Sequence, residues 1–174
     1  MYIVVGLGNP GDEYACTRHN TGRMALAYCE KQEIKGVKFV HLETFMNKSG
    51  SGVAKVIKSK KAANKLIVIY DDLDLGIGQM KISYNRSSGG HRGVESIIKA
   101  LKTEEFIRIR IGISPATPSG KLKKPHGEKD VEKHILGGFK KSETEILKKV
   151  FKRVALAVET ISEFGYERAM TESN

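Results

Sequence analysis

His19 sits in the run Tyr14-Ala15-Cys16-Thr17-Arg18-His19-Asn20, shortly after the turn Gly6-Leu7-Gly8-Asn9-Pro10-Gly11, and Asp71 opens Asp71-Asp72-Leu73-Asp74 directly after the apolar stretch Leu66 to Tyr70. An imidazole with one nitrogen held by a carboxylate keeps a defined tautomer and accepts a proton more readily at the other nitrogen. A histidine brought beside such a carboxylate would have the residue types that general-base chemistry needs. Two further polar clusters, Phe45-Met46-Asn47-Lys48-Ser49-Gly50 and Ser87-Ser88-Gly89-Gly90-His91-Arg92-Gly93, also follow strand ends or open helices. Taken singly, each residue has a plainer role: a histidine is often a surface residue, and an aspartate after a strand is often a turn or cap residue. The repeated placement gives the set its weight, because α/β folds build sites where several strand ends meet.

Other chemistries find less support. No Gly-x-Ser-x-Gly elbow is present, so the usual α/β serine hydrolase is disfavoured. The five histidines form neither HExxH nor another zinc pattern, and Cys16 and Cys29 lack metal-ligand spacing, so no metal is expected and reduced thiols are the default. Cys16 lies close enough to His19 in sequence for a Cys-His nucleophile pair, against which stands a small apolar packing role. Gly6-x-Gly8-x-x-Gly11 matches the dinucleotide fingerprint. That fingerprint needs a helix to start within the turn, and here no apolar periodicity resumes until about Met24.

The elements that must position these residues alternate. Strands are expected at Tyr2 to Val5, Lys38 to Leu42, Leu66 to Tyr70, Lys81 to Tyr84 and Phe106 to Ile113, and helices at Gly22 to Gln32, Ser49 to Lys60, His91 to Leu101 and Ser142 to Phe164. Such alternation predicts a single-domain, three-layer α/β sandwich over residues 1–174, with a mixed, largely parallel twisted sheet flanked by helices. Phe106-Ile-Arg-Ile-Arg-Ile-Gly-Ile113 alternates apolar and basic residues, which predicts one buried face and Arg108 and Arg110 on the other. Ser114 to Lys129, with three prolines and several lysines, reads as a mobile basic loop.

The 174 residues are 40% hydrophobic, enough for one core without disulfides or metal. No apolar run reaches the roughly 18 residues of a membrane span, and no charged-then-apolar leader is visible, so a cytoplasmic protein is expected. The net charge of +10 favours a polyanionic partner, since attraction to phosphates supplies much of the affinity for nucleic acid. Lys121, Lys123 and Lys124, with Lys140, Lys141, Lys148, Lys149, Lys152 and Arg153, are candidates for a phosphate-binding surface; each alone also reads as a solvated lysine or arginine.

The ordered blocks Gly6-Leu-Gly-Asn9-Pro-Gly11, Tyr14, Arg18-His19-Asn20, Phe45-Met46-Asn47-Lys48-Ser49-Gly50, Asp71-x-Leu73-Asp74, Ser88-Gly-Gly-His91-x-Gly93 and Arg108-x-Arg110-Ile-Gly-Ile113 together resemble the bacterial peptidyl-tRNA hydrolase family, and Val131 to Phe139 resembles a later segment of it. The resemblance implies hydrolysis of the ester joining a peptide to tRNA, without a cofactor, by a cytoplasmic monomer whose partner is peptidyl-tRNA. It implies His19 as the base that activates water and Asp71 as its orienting carboxylate. Asn9 and Asn47 would hold the substrate carbonyl and water, Tyr14, Phe45 and Met46 would line the site near the peptide and terminal nucleotide, and Arg110 would meet tRNA phosphate. The chain departs from the family pattern at Arg92, where the family has Asn, and at Ser83, where a lysine is usual and for which Arg86 would substitute in charge. Its interval between Asn20 and Phe45 is short, as if one strand of a hairpin at the sheet edge were missing. A noncatalytic RNA-binding relative of the same fold is the alternative, motivated by Arg92.

Overall fold

The computed structural model describes all residues from Met1 to Asn174. Five strands form one sheet: β1 (Tyr2–Gly6), β2 (Val37–Val40), β3 (Leu66–Gly76), β4 (Met80–Tyr84) and β5 (Ile107–Ser114). Their order across the sheet is β2-β1-β3-β5-β4, with every pairing parallel except the antiparallel β4–β5. Seven helices accompany them: α1 (Thr21–Glu30), α2 (Ser49–Val53), α3 (Lys60–Ala63), α4 (Arg92–Leu101), α5 (Glu128–Leu136), α6 (Lys141–Phe164) and α7 (Tyr166–Ser173).

Alternation along the strands builds two cores. Ile67 and Ile69 of β3, with Ile107, Ile109 and Ile111 of β5, face a layer containing α1, α6 and α7, where α6 contributes Leu147, Val150, Phe151, Val154, Val158 and Ile161 at helical spacing. Leu66, Val68 and Tyr70 point the other way, against Val53 of α2 and Val94 and Ile97 of α4. Each large side chain so buried contributes about 1.5–3 kcal/mol. The sandwich is therefore three-layered, as the alternation predicts.

Several boundaries differ from the sequence expectation. The helix expected from Ser49 to Lys60 stops at Val53, and a second short helix starts only at Lys60, where the Ser59 side chain caps the new start by accepting from Ala62 N–H at 3.1 Å. Helices α5 and α7 were not expected. Each is short, with few apolar positions among polar ones: no residue of α5 is buried and α7 buries only Ala169, so the periodic signal of either is weak. The loop expected over Ser114 to Lys129 ends earlier, at Gly127, and is closed on itself by a bridge between Ala116 and Leu122.

Two corrections bear on the site. Strand β3 runs on to Gly76, so Asp71 lies inside the strand, paired with Ile111, rather than just past its end. Arg108 and Arg110 are buried rather than displayed, because the sheet face they occupy, shared with Val68 and Tyr70, is covered. The short interval after Asn20 supplies α1 and then a single four-residue edge strand, β2.

Candidate active site

Residues Arg18–Asn20 form one 3-10 turn that leads directly into α1. Arg18 N–H donates to Gly137 O at 2.9 Å, and Thr21 Oγ donates to Arg18 O at 2.6 Å, so His19 is held from both sides. Helix α1 can come close to the sheet because Gly22 has no side chain: a Cβ there would lie 2.2 Å from Ile69 O. That approach carries His19 to Asp71.

His19 Nδ1 lies 2.8 Å from Asp71 Oδ2. With Nδ1–H donating to the carboxylate, the Nε2 lone pair is the one free to accept a proton. The second carboxylate oxygen, Oδ1, lies 3.0 Å from His91 Nε2, and His91 Nδ1 accepts from Val94 N–H at 3.3 Å at the start of α4. Those two contacts fit the His91 tautomer that carries its proton on Nε2. Asp71 is 3% exposed and would be costly to bury alone, but two ring N–H groups serve its two oxygens.

The electrostatics follow from this trio. Burial opposes ionisation of Asp71, but the neighbouring His19 and His91 overcome it, so its pKa falls well below the usual carboxylate range. Burial also pushes His19 down, while the charge and hydrogen bond of Asp71 push it up and the charge of Arg92 pulls it slightly back; the net direction is above 6.5. Ring nitrogens and carboxylate oxygens of His19, Asp71 and His91 lie within 4.8 Å of one another, a grouping that could also hold a metal ion. Each nitrogen, however, addresses its own carboxylate oxygen at hydrogen-bond distance, which is the geometry of proton sharing.

A cleft of about 520 Å³ opens over these side chains. Asn9 lines it, and its orientation is fixed: Asn20 bonds both the Asn9 N–H (2.8 Å) and the Asn9 C=O (2.9 Å), while Asn9 Oδ1 accepts from Met46 N–H at 2.8 Å. With Oδ1 so engaged, the Nδ2 donor of Asn9 is left unspent. Tyr14 and Phe45 meet edge to face on one wall, ring centroids 6.3 Å apart, and Phe45 is 52% exposed. Asn47 is exposed at the rim, while the buried Met46 also serves through its backbone. Val131, Ile135 and Leu136 of α5 form the facing wall.

Of the residues singled out in the sequence, the cleft thus gathers His19, Asp71, Asn9, Asn47, Tyr14, Phe45, Met46 and Arg92. Arg92 is exposed and reaches Glu128 of α5 at 3.3 Å. Arg110 is absent from the lining: it donates to Asp72 Oδ2 at 2.9 Å and to Ser83 Oγ at 3.1 Å, so its charge is neutralised inside the fold rather than offered to phosphate. Cys16 is exposed outside the cleft, and burial drives the Cys29 thiol up to about 12, so neither serves as a nucleophile. Residue-by-residue reasoning missed the contacts of His91 and Asn20 and the α5 wall. His91 and Asn20 both stand in motifs that carry the family resemblance, but nothing in their spacing disclosed a partner.

Comparison with known proteins now bears on this geometry. A family model for peptidyl-tRNA hydrolase matches residues 3–174. The chain belongs to the peptidyl-tRNA hydrolase family. Relatives named peptidyl-tRNA hydrolase include those of Thermoanaerobacter sp. (strain X514), 39% identical and aligned over the whole of both chains, and of Aquifex aeolicus, 38% identical over 99% of this chain and 95% of its own. Among solved structures, peptidyl-tRNA hydrolase from Acinetobacter baumannii superposes with a TM-score of 0.85 at 26% identity, covering 100% of this chain and 94% of that one. The protein is accordingly an enzyme that hydrolyses peptidyl-tRNA. The alignment to the Thermoanaerobacter relative spans 194 positions against 174 residues here, so that relative carries segments this chain lacks.

Proposed function

We propose that His19 acts as general base on a water molecule that attacks the ester carbonyl of peptidyl-tRNA. Nε2 takes the proton as the water oxygen bonds to the acyl carbon; collapse of the tetrahedral intermediate expels the ribose oxygen, which takes the proton back. Water's oxygen ends in the peptide carboxylate and the tRNA leaves with its hydroxyl restored. Asp71 holds the imidazole and stabilises the imidazolium formed on the way. The unspent Nδ2 of Asn9 is the donor for the developing oxyanion, with Asn47 holding water or carbonyl from the rim. In this reading Tyr14, Phe45 and Met46 line the part of the cleft that takes the peptide and terminal nucleotide, and the exposed Arg92 contacts the tRNA.

The observation that carries this reading is the 2.8 Å contact of His19 Nδ1 with a buried carboxylate at the floor of the cleft, which leaves Nε2 free. No helix is long and apolar enough to cross a membrane, and the reading is of an enzyme that acts as a cytoplasmic monomer. The test measures tRNA binding and release of acetyl-amino acid from N-acetylaminoacyl-tRNA on one preparation. Release by the intact chain, lowered roughly 10²- to 10³-fold by Asn9→Ala, is the expected outcome. Release left unchanged by Asn9→Ala, with tRNA binding intact, would remove Asn9 from the oxyanion site.

A further inference from the structure

Arg108 is fully buried on β5, and its hydrogen-bond partners are backbone carbonyls rather than a carboxylate. Its guanidinium lies over the Phe106 ring, 4.0 Å from the centroid, and is solvated by backbone carbonyls: Nη1 donates to Glu104 O and Phe106 O, each at 3.1 Å, and Nη2 donates to Arg86 O. Burial of an unpaired cation is costly, and burial lowers the Arg108 pKa accordingly. A residue kept in that state needs a reason beyond packing.

The third carbonyl supplies it. Arg86 belongs to the stretch 85–90 that leaves β4; residues 86–90 line the cleft and lead into His91, which bonds Asp71 and caps α4. Asn85, Gly89 and Gly90 all have positive φ, so the stretch has no regular backbone ladder of its own. Its other hydrogen bonds are local, from Gly90 N–H to Ser88 Oγ and from His91 N–H to Ser88 O. The guanidinium therefore ties this stretch to the sheet, and only a planar fork can span from the Glu104 and Phe106 carbonyls to that of Arg86 at once.

We propose that Arg108 is a positioning residue for the reaction: by holding Arg86 O it fixes the 85–90 stretch, and through it the bond from His91 to Asp71 that orients the carboxylate behind His19. The proposal rests on the catalytic reading above. When His91 disengages, Asp71 loses one of its two donors and attracts the protonated His19 more strongly.

The test compares the whole chain with Arg108→Lys and Arg108→Met. Ring protons of His19 and His91 are titrated by NMR, amide exchange is followed at residues 86–91, and kcat and KM are measured on N-acetylaminoacyl-tRNA. In Arg108→Lys, which keeps charge and bulk but loses the fork, exchange at 86–91 rises while the sheet stays protected. The His19 midpoint moves upward, and kcat falls roughly ten- to hundredfold with KM little changed. A folded Arg108→Lys with wild-type exchange, His19 titration and kcat overturns the proposal, as does a folded Arg108→Met with the wild-type His19 midpoint. The histidine titration reads the geometry even in a protein that hydrolyses nothing, so failure of the positioning role is distinguishable from failure of the catalytic reading.

Discussion

Asp71 takes both of its hydrogen bonds from histidines, and the two rings have different consequences. His19 is raised above 6.5 by its carboxylate, and a base works only when unprotonated, so activity is lost as pH falls through the His19 pKa. The acid limb of kcat/KM is therefore expected to have its midpoint above 6.5. Arg92 opposes the shift, so Arg92→Asn should move that limb to still higher pH; a limb moving down would contradict the assignment of charges. The same groups link pH to folding. The stabilisation that His19 gains from Asp71 is fully present below 6.5 and lost as pH rises through the higher folded-state value, whereas that of Asp71 is present above its ordinary 3.8 and lost only as pH falls through its depressed value. The meeting of His19 with Asp71 was legible only through the resemblance carried by the ordered motifs, because the two residues stand 52 positions apart and no local pattern pairs them. The contact of His91 was not, because it depends on how the 85–90 stretch folds back, and Arg110 was misread because alternation shows which face a side chain takes but not what covers that face.

Helix α1 is seated by the absence of side chains at its contact with the sheet. A Cβ on Gly22 would press within 2.2 Å of Ile69 O and 2.7 Å of Leu7 N, backbone atoms that cannot step aside. Gly22→Ala is thus expected to destabilise the fold by about 1–3 kcal/mol or more and to shift the turn holding His19. Urea denaturation would read the loss, and an unchanged midpoint with wild-type kcat would show that α1 does not set the catalytic distance. At this scale the sequence was most legible where a buried strand or a long apolar stripe dominates, as in β1, β3 and α6. It was least legible where the stabilising contacts are few or remote. Helix α5 buries none of its own residues, yet Arg18 Nη1 donates to His134 O at 3.0 Å and His134 Nε2 lies 2.9 Å from Ile113 O, contacts no local pattern announces.

Across the whole molecule, the +10 charge and the cleft call for the same partner from different directions, since a tRNA carries both the ester and the phosphates. Part of the basic complement is spent internally: Arg110 on Asp72, Lys124 on Asp74 at 2.5 Å, Lys148 on Glu145 at 3.0 Å. The remaining exposed cations are expected to make tRNA binding salt-sensitive, each neutralised phosphate adding about 0.7–0.9 to the slope of log K against log salt. A flat response would remove phosphate contacts from the account. The three-layer architecture was legible in the alternation of elements, whereas the α5 wall of the cleft belongs to a segment whose composition is mostly polar. The most direct measurement is release of acetyl-amino acid from N-acetylaminoacyl-tRNA, with a chelator present, by the intact chain and by His19→Ala. The account predicts undiminished release by the intact chain and a loss of roughly 10²- to 10⁴-fold in a folded His19→Ala protein; release that the chelator abolishes, or that His19→Ala retains, would contradict it.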